Sequence, residues 1–132
     1  MANHVNVELQ EKIYEILSSD GTLTALCDVY DTPEDNSNYP YVCIGNDDFG
    51  EFDSHSFNGF DGFIQIDTWA QGMSKMPCKE IQARIYTLLH NVDLGLPNFD
   101  TIALRCSLQN VLDDPDGRTK HGVQRFNFIL TC

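Results

Sequence analysis

Apolar residues near the start of the chain fall at helical spacing. Leu9, Ile13, Ile16 and Leu17 share one face, and Glu8, Gln10, Glu11, Lys12 and Glu15 share the other. That pattern predicts an amphipathic helix of about three turns. Ser18, Ser19, Asp20 and Gly21 end it, and residues 22–27 fit one more helical turn burying Leu23 and Leu26. Val29 and Tyr30 form a short strand candidate before the turn-rich loop DTPEDNSN. The loop delivers the chain to YVCIG, residues 41–45, a compact apolar strand with Pro40 at its mouth, where a missing N–H costs little.

Strict alternation returns in FIQIDTWA, residues 63–70, with Ile64, Ile66, Thr68 and Ala70 on one face. Phe63, Gln65, Asp67 and Trp69 form the other, apolar at its ends and polar in its middle. A second helix is expected from about Ser74, an N-cap candidate with Pro77 in the first turn, and its buried stripe is Cys78, Ile81, Ile85, Leu88 and Leu89. Residues 102–112 alternate again, with Ile102, Leu104, Cys106, Leu108, Asn110 and Leu112 assigned to one face. The turn cluster DDPDG leads into a last strand. There Val123, Arg125, Asn127, Ile129 and Thr131 face one way, and Gln124, Phe126, Phe128, Leu130 and Cys132 face the other. The order helix, strand, strand, helix, strand, strand predicts an α+β fold. It is a mostly antiparallel sheet of about four strands with two main helices on one face.

The segment between the two strand candidates, residues 46–62, fits neither period. It mixes Asp47, Asp48, Glu51, Asp53 and Asp61 with Phe49, Phe52, Phe57 and Phe60. One reading is a wide hairpin whose Phe side chains fold back on the sheet. The other is a projecting loop or β-arm whose Phe residues dock on a neighbouring subunit, since aromatics in a polar loop are a common interface composition.

Length and charge narrow the classes. A chain of 132 residues fits one domain, taken as residues 1–132. No apolar run approaches the roughly 20 residues needed to span a bilayer, and MANHVNVELQEK lacks the layout of a secretory signal. A soluble protein made in the cytoplasm, with no membrane partner, is expected. The net charge of −12 is unevenly spread: twelve acids and no Lys or Arg lie between Lys12 and Lys75. A surface of that sign repels phosphate, so binding of nucleic acid through this half is not expected. It can serve solubility alone, or form a surface that nucleic acid passes without sticking. The five cysteines are odd in number and form no C-x-x-C, which suggests small buried thiols, not a disulfide framework or a zinc knuckle.

Candidate chemistry is sparse. His4, His55, His90 and His121 are scattered without metal-ligand spacing. Placing Gly117 at the sixth position of a calcium loop would put Leu112 first and Val123 twelfth, which excludes an EF-hand. There is no phosphate-cradling glycine loop and no nucleophile elbow. No catalytic residue, metal or cofactor is assigned, and an enzyme is not expected.

Several stretches together carry a resemblance: LQEKIYEILSSDGTLTAL, YPYVCIG, IQIDTWAQG, a helix ending IYTLLHN, and DPDGRTKHGVQRF. In this order, over residues 9–128, the chain resembles the tail-completion proteins of long-tailed bacteriophages, the tail terminators or head–tail joining proteins of the neck. The most specific pieces are the YPYV entrance and the block D-x-D-G-R-T-x-H-G-V-x-R-F, and residues 46–62 depart from the pattern by their acid and Phe content. The resemblance implies a structural virion protein, assembled in the host cytoplasm as a ring, usually a hexamer. The ring would sit on the head-proximal end of the tail tube, stop tube polymerisation and dock to the head connector. Its partners would be its own copies, the major tail tube protein and the head completion or connector protein, with DNA passing through unbound.

On that reading Phe49, Phe52, Phe57, Phe60, Arg118, Lys120 and Arg125 are candidate contacts to other subunits or the tube. Asp47, Asp48, Glu51 and Asp53 are candidates to line the channel, where repulsion lets DNA slide. A hairpin tip in solvent is the plainer reading of the basic turn Arg118-Thr119-Lys120-His121. The alternative for the whole chain is a small acidic binding module that mimics the charge of DNA or binds a host protein, and a hydrolase comes third.

Overall fold

The first helix, α1 (Val5–Ser19), buries Val5, Leu9, Ile13 and Leu17, one residue per turn along a single stripe. The structure is a computed structural model that describes residues 5–31, 38–53 and 58–131, without the side chains of Phe52, Asp53 and Asn58. A short helix α2 (Gly21–Leu26) follows directly, capped by Asp20, whose Oδ2 accepts from the Leu23 N–H at 2.8 Å. The same carboxylate receives the Arg84 guanidinium in two bonds of 2.8 and 2.9 Å and so joins α2 to the third helix, α3 (Met76–Leu89). The Asp20 carboxyl is held below its ordinary range, chiefly by the Arg84 hydrogen bonds, against the opposing effect of burial. At the start of α3 the Ser74 hydroxyl accepts from the Met76 N–H at 3.0 Å, while Lys75 occupies the cap position itself.

Five strands build one sheet: β1 (Asp28–Tyr30), β2 (Tyr41–Asp53), β3 (Asn58–Gln71), β4 (Asp100–Asp113) and β5 (Thr119–Thr131). Their spatial order is β1-β2-β3-β5-β4, with β1 parallel to β2 and every other pair antiparallel. The α+β class, the mostly antiparallel sheet and the helices on one face match the sequence-based expectation. The difference is a fifth strand, because the short candidate at Val29 and Tyr30 joins the sheet edge.

Alternation decides which residues meet the helices. Ile64, Ile66, Thr68 and Ala70 of β3 and Gln124, Phe126, Phe128 and Leu130 of β5 are all buried, as the period of two requires. Close approach of α3 to β5 needs a glycine: a Cβ on Gly122 would lie 2.6 Å from both Cys78 Sγ and Gln82 Nε2. Beside it, Gln124 Nε2 donates to the Gln82 carbonyl and to Gln109 Oε1, and Gln82 Nε2 donates to the Asn110 carbonyl, each at 2.9 Å. These buried amides tie α3 to β4 and β5 with few groups left unpaired.

Two strands depart from simple alternation. β2 does not stop after residue 45 but runs to Asp53, and its register shifts between Ile44 and Asp47, so two residues face one on β3. β4 shifts twice, between Thr101 and Ala103 and between Cys106 and Leu108. The single face assigned above to residues 102–112 of β4 is therefore corrected. Leu104 and Cys106 pair with Phe128 and Phe126 on the core side, while Leu108, Asn110 and Leu112 pair with Arg125, Val123 and His121 on the far side. Each bulge inserts one residue, and one residue exchanges every later side chain between faces.

Candidate functional site

The turn between β4 and β5 is held by one carboxylate. Asp116 Oδ1 accepts from the N–H groups of Arg118 and Thr119 at 2.9 and 2.8 Å, and its Oδ2 accepts from the Thr119 hydroxyl at 2.6 Å. Those bonds, led by the hydroxyl, draw the Asp116 carboxyl down to about 2. Gly117 follows at φ 72°, a left-handed conformation that glycine adopts without a steric penalty. The Arg118 carbonyl accepts from the Gly72 N–H at 2.8 Å, which fastens the turn to the end of β3.

The basic candidates therefore differ in what they can reach. Arg118 is exposed at the turn. Lys120 is buried, with its Nζ 2.7 Å from Asp113 Oδ1, so its charge is used within the chain. Arg125 is exposed on the helix-free face of the sheet. Its Nε donates to Gln65 Oε1 at 3.0 Å, and its guanidinium lies 4.7 Å over the Phe63 ring.

That helix-free face carries a connected ladder that the sequence showed only in part. Gln65 Nε2 donates to Asp67 Oδ1 at 2.9 Å, and His121 Nε2 lies 2.8 Å from the same oxygen. The His121 ring stacks on Trp69 at 3.8 Å between centroids and 7° between planes. The shared face of Phe63, Gln65, Asp67 and Trp69 was legible from alternation. Their partners His121 and Arg125 were not, because cross-strand register is a property of the pairing.

Of the Phe candidates, Phe49 and Phe60 sit half-buried on the core side of the β2–β3 hairpin. Phe60 meets Phe49 at 6.0 Å and Phe99 at 5.7 Å between centroids, both edge to face. Phe57 and the Phe52 side chain lie outside the described residues. Among the acids, Asp47, Asp48 and Glu51 are all exposed. Pairing with Ile64 and Phe60 puts Asp47 and Glu51 on the core side of the hairpin, whereas pairing with Phe63 puts Asp48 on the helix-free side. Asp53 pairs with Asn58, and its side chain lies outside the described residues.

Chemistry elsewhere is muted. Burial pushes the Cys27 thiol up to about 12 and those of Cys43 and Cys78 up to about 11, so these sulfurs stay protonated. Among the described residues no three His, Cys, Asp or Glu side chains cluster as a metal site. No helix among them is long and apolar enough to cross a membrane.

The described residues form a helix-backed, mostly antiparallel sheet of the α+β class with an acidic hairpin. The same fold, to a TM-score of 0.84, occurs in a chain of the virion of a native gene transfer agent particle, over 99% of this chain and 100% of that one at 18% identity. The profile of the family described as tail completion protein gp17 matches residues 11–131, and the chain belongs to that family. Tail completion protein gp17 of Bacillus phage SPP1 is 28% identical over 123 residues, covering 92% of this chain and 91% of the relative. The solved structure of the bacteriophage SPP1 gp17 protein matches with a TM-score of 0.65 and 26% identity, over 92% of this chain and 88% of that one.

Proposed function

We propose that this chain completes a phage tail by assembling as a ring, a hexamer, on the head-proximal end of the tail tube. There it stops tube polymerisation and presents the surface that joins the head connector. Its partners are its own copies, the major tail tube protein and the connector protein, and DNA passes through the ring without specific binding. The observation that carries the reading is family membership across residues 11–131, nearly the whole chain. The same observation favours it over a small acidic binding module.

Supporting physics comes from the asymmetry of the sheet. A closed ring needs two different patches on each copy, and this sheet ends at two unlike edges, β1 with β2 on one side and β4 on the other. Phe49, Phe52, Phe57, Phe60, Arg118, Lys120 and Arg125 are the proposed contact region. Within it, the exposed charges of Arg118 and Arg125 are available to partners, and that of Lys120 is spent on Asp113. The lining of the passage for DNA is proposed to be drawn from among the candidates Asp47, Asp48, Glu51 and Asp53, not from all four. Register puts Asp47 and Glu51 on the side of the hairpin opposite Asp48; the first two are proposed to face the passage, and Asp48 to face a neighbouring copy.

Tube subunits polymerised with and without this chain, and imaged by negative stain, test the function. The expected result is shorter tubes, each capped at one end by a ring with a central hole. Tubes of unchanged length and bare ends would overturn it.

A further inference from the structure

The sheet is electrically lopsided. β2 and β3 carry Asp47, Asp48, Glu51, Asp53, Asp61 and Asp67 with no Lys or Arg. β4 and β5 carry Arg105, Lys120 and Arg125 against Asp100 and Asp113. On the helix-free face Arg105 and Asp48 stand too far apart to meet within one copy. Arg105, Asn127, Phe63 and Asp48 form a single row across four strands, which separates Arg105 from Asp48 by roughly 14 Å at the ordinary strand spacing. Arg105, Asp48 and Asp61 are exposed, and none of them forms an ion pair among the described residues.

Apolar exposure follows the same division. Among the described residues, the large hydrophobics exposed on strands are Ile102, Leu108, Leu112 and Ile129, all on β4 or β5. A cleft of about 310 Å³ opens in this half, lined by Ala103, Arg105, Ser107, Asn127 and Ile129. The edge of β4 itself is partly closed: the Leu104 carbonyl accepts from the Asn91 N–H at 2.7 Å, and the Cys106 N–H donates to His90 Nδ1 at 3.0 Å. A neighbour is thereby denied strand addition along that stretch and is left the face.

We propose that the helix-free face of the β4–β5 ribbon, around Arg105, Leu108, Arg125 and Ile129, receives the acidic β2–β3 hairpin of a second copy of this chain, led by Asp48 and Asp61. The contact rests on the ring reading and gives it its two unlike patches. Apolar area flanked by complementary charge supplies both adhesion and register. Repeated head to tail, a hairpin from one copy on the ribbon of the next is a heterologous contact, the kind that closes into a ring.

A charge exchange tests it. One variant carries Arg105→Glu and Arg125→Glu, the other Asp48→Arg and Asp61→Arg, and circular dichroism confirms that each keeps its fold. Sedimentation over a concentration series is expected to show self-association of the wild-type chain weakened at least about tenfold in either variant alone. An equimolar mixture, in which each altered patch meets its altered counterpart, is expected to recover it. Wild-type rings that persist in both variants would overturn the contact and leave the ring reading standing. Variants that lose association without recovery on mixing would also overturn the contact. A wild-type chain and a mixture that both stay monomeric throughout, including in the presence of tube subunits, would overturn both.

Discussion

Asp116 shows how a residue that first suggests a bound cation can be wholly occupied by its own backbone. Its carboxylate accepts two N–H groups and a hydroxyl, which replace the ligand a calcium loop would hold. The charged form is the one that is bonded, so its folded-state value falls from the ordinary 3.8 to about 2. A depressed carboxyl contributes its stabilisation above the unfolded value and loses it as pH falls through the folded one. Between about pH 4 and pH 2 the chain should therefore lose stability. An Asp116→Ala variant should be less stable at neutral pH and should show a shallower loss over that window, as read by urea midpoints at each pH. Equal pH profiles for the two proteins would deny Asp116 this role. Gly122 makes a second claim at this scale, since a Cβ there meets Cys78 and Gln82. Gly122→Ala should cost about 1–3 kcal/mol by overpacking, more than the roughly 0.4–1 kcal/mol gained from restricting the unfolded chain. Adding Cys78→Ala removes one of the two obstructions. The double-mutant cycle should then show a coupling of about 0.5–3 kcal/mol, and strict additivity would count against the clash.

Elements were legible where one period held and illegible where it broke. The alternation of β3 and β5 and the stripes of α1 and α3 could be read directly, because burial on one face selects apolar residues at fixed spacing. The bulges of β2 and β4 have no composition of their own. Leu108 and Leu112 are apolar in sequence and were grouped with Leu104, yet inserted residues carry them to the helix-free face, where they are 41% and 50% exposed. The contact ladder from Trp69 to Arg125 was hidden for a related reason, since its members lie on two strands whose register the intervening chain does not encode locally. Segment 46–62 admits two readings from its composition, and its described Phe residues bear on the folded-back one. Phe49 and Phe60 pack against the core cluster, with Phe60 edge-on to Phe99. Phe60→Ala should accordingly lower the stability of the isolated chain by about 2 kcal/mol, below the roughly 3–5 kcal/mol of a fully buried Phe. Thermal melting of the monomer checks this, because a side chain serving only a subunit contact would leave the monomer's midpoint where it was.

Across the whole molecule, a net charge of −12 with one mixed ribbon creates a tension between assembly and repulsion. In the proposed ring, copies that repel at long range would meet through local complementarity, and charges left outside the contact would be free to face the proposed passage. Among the described side chains, Asp47 and Glu51 are the exposed acids on the side of the hairpin away from Asp48, so the proposed contact and the proposed lining draw on opposite faces of one element. Replacing both acids, as Asp47→Lys with Glu51→Lys, exchanges two repelling groups per copy for two that neutralise phosphate. Rings of this variant should hold duplex DNA with a steep loss of affinity as salt rises, because each neutralised phosphate releases counterions. Wild-type rings should not retain DNA at all. Topology separates a lining from an outer surface. A preformed ring can thread onto a linear duplex but not onto a covalently closed circle of the same sequence, whereas an outer patch binds both alike. Retention of linear DNA alone, measured by filter binding across a salt series, places Asp47 and Glu51 inside the passage, and equal retention of both forms places them outside it.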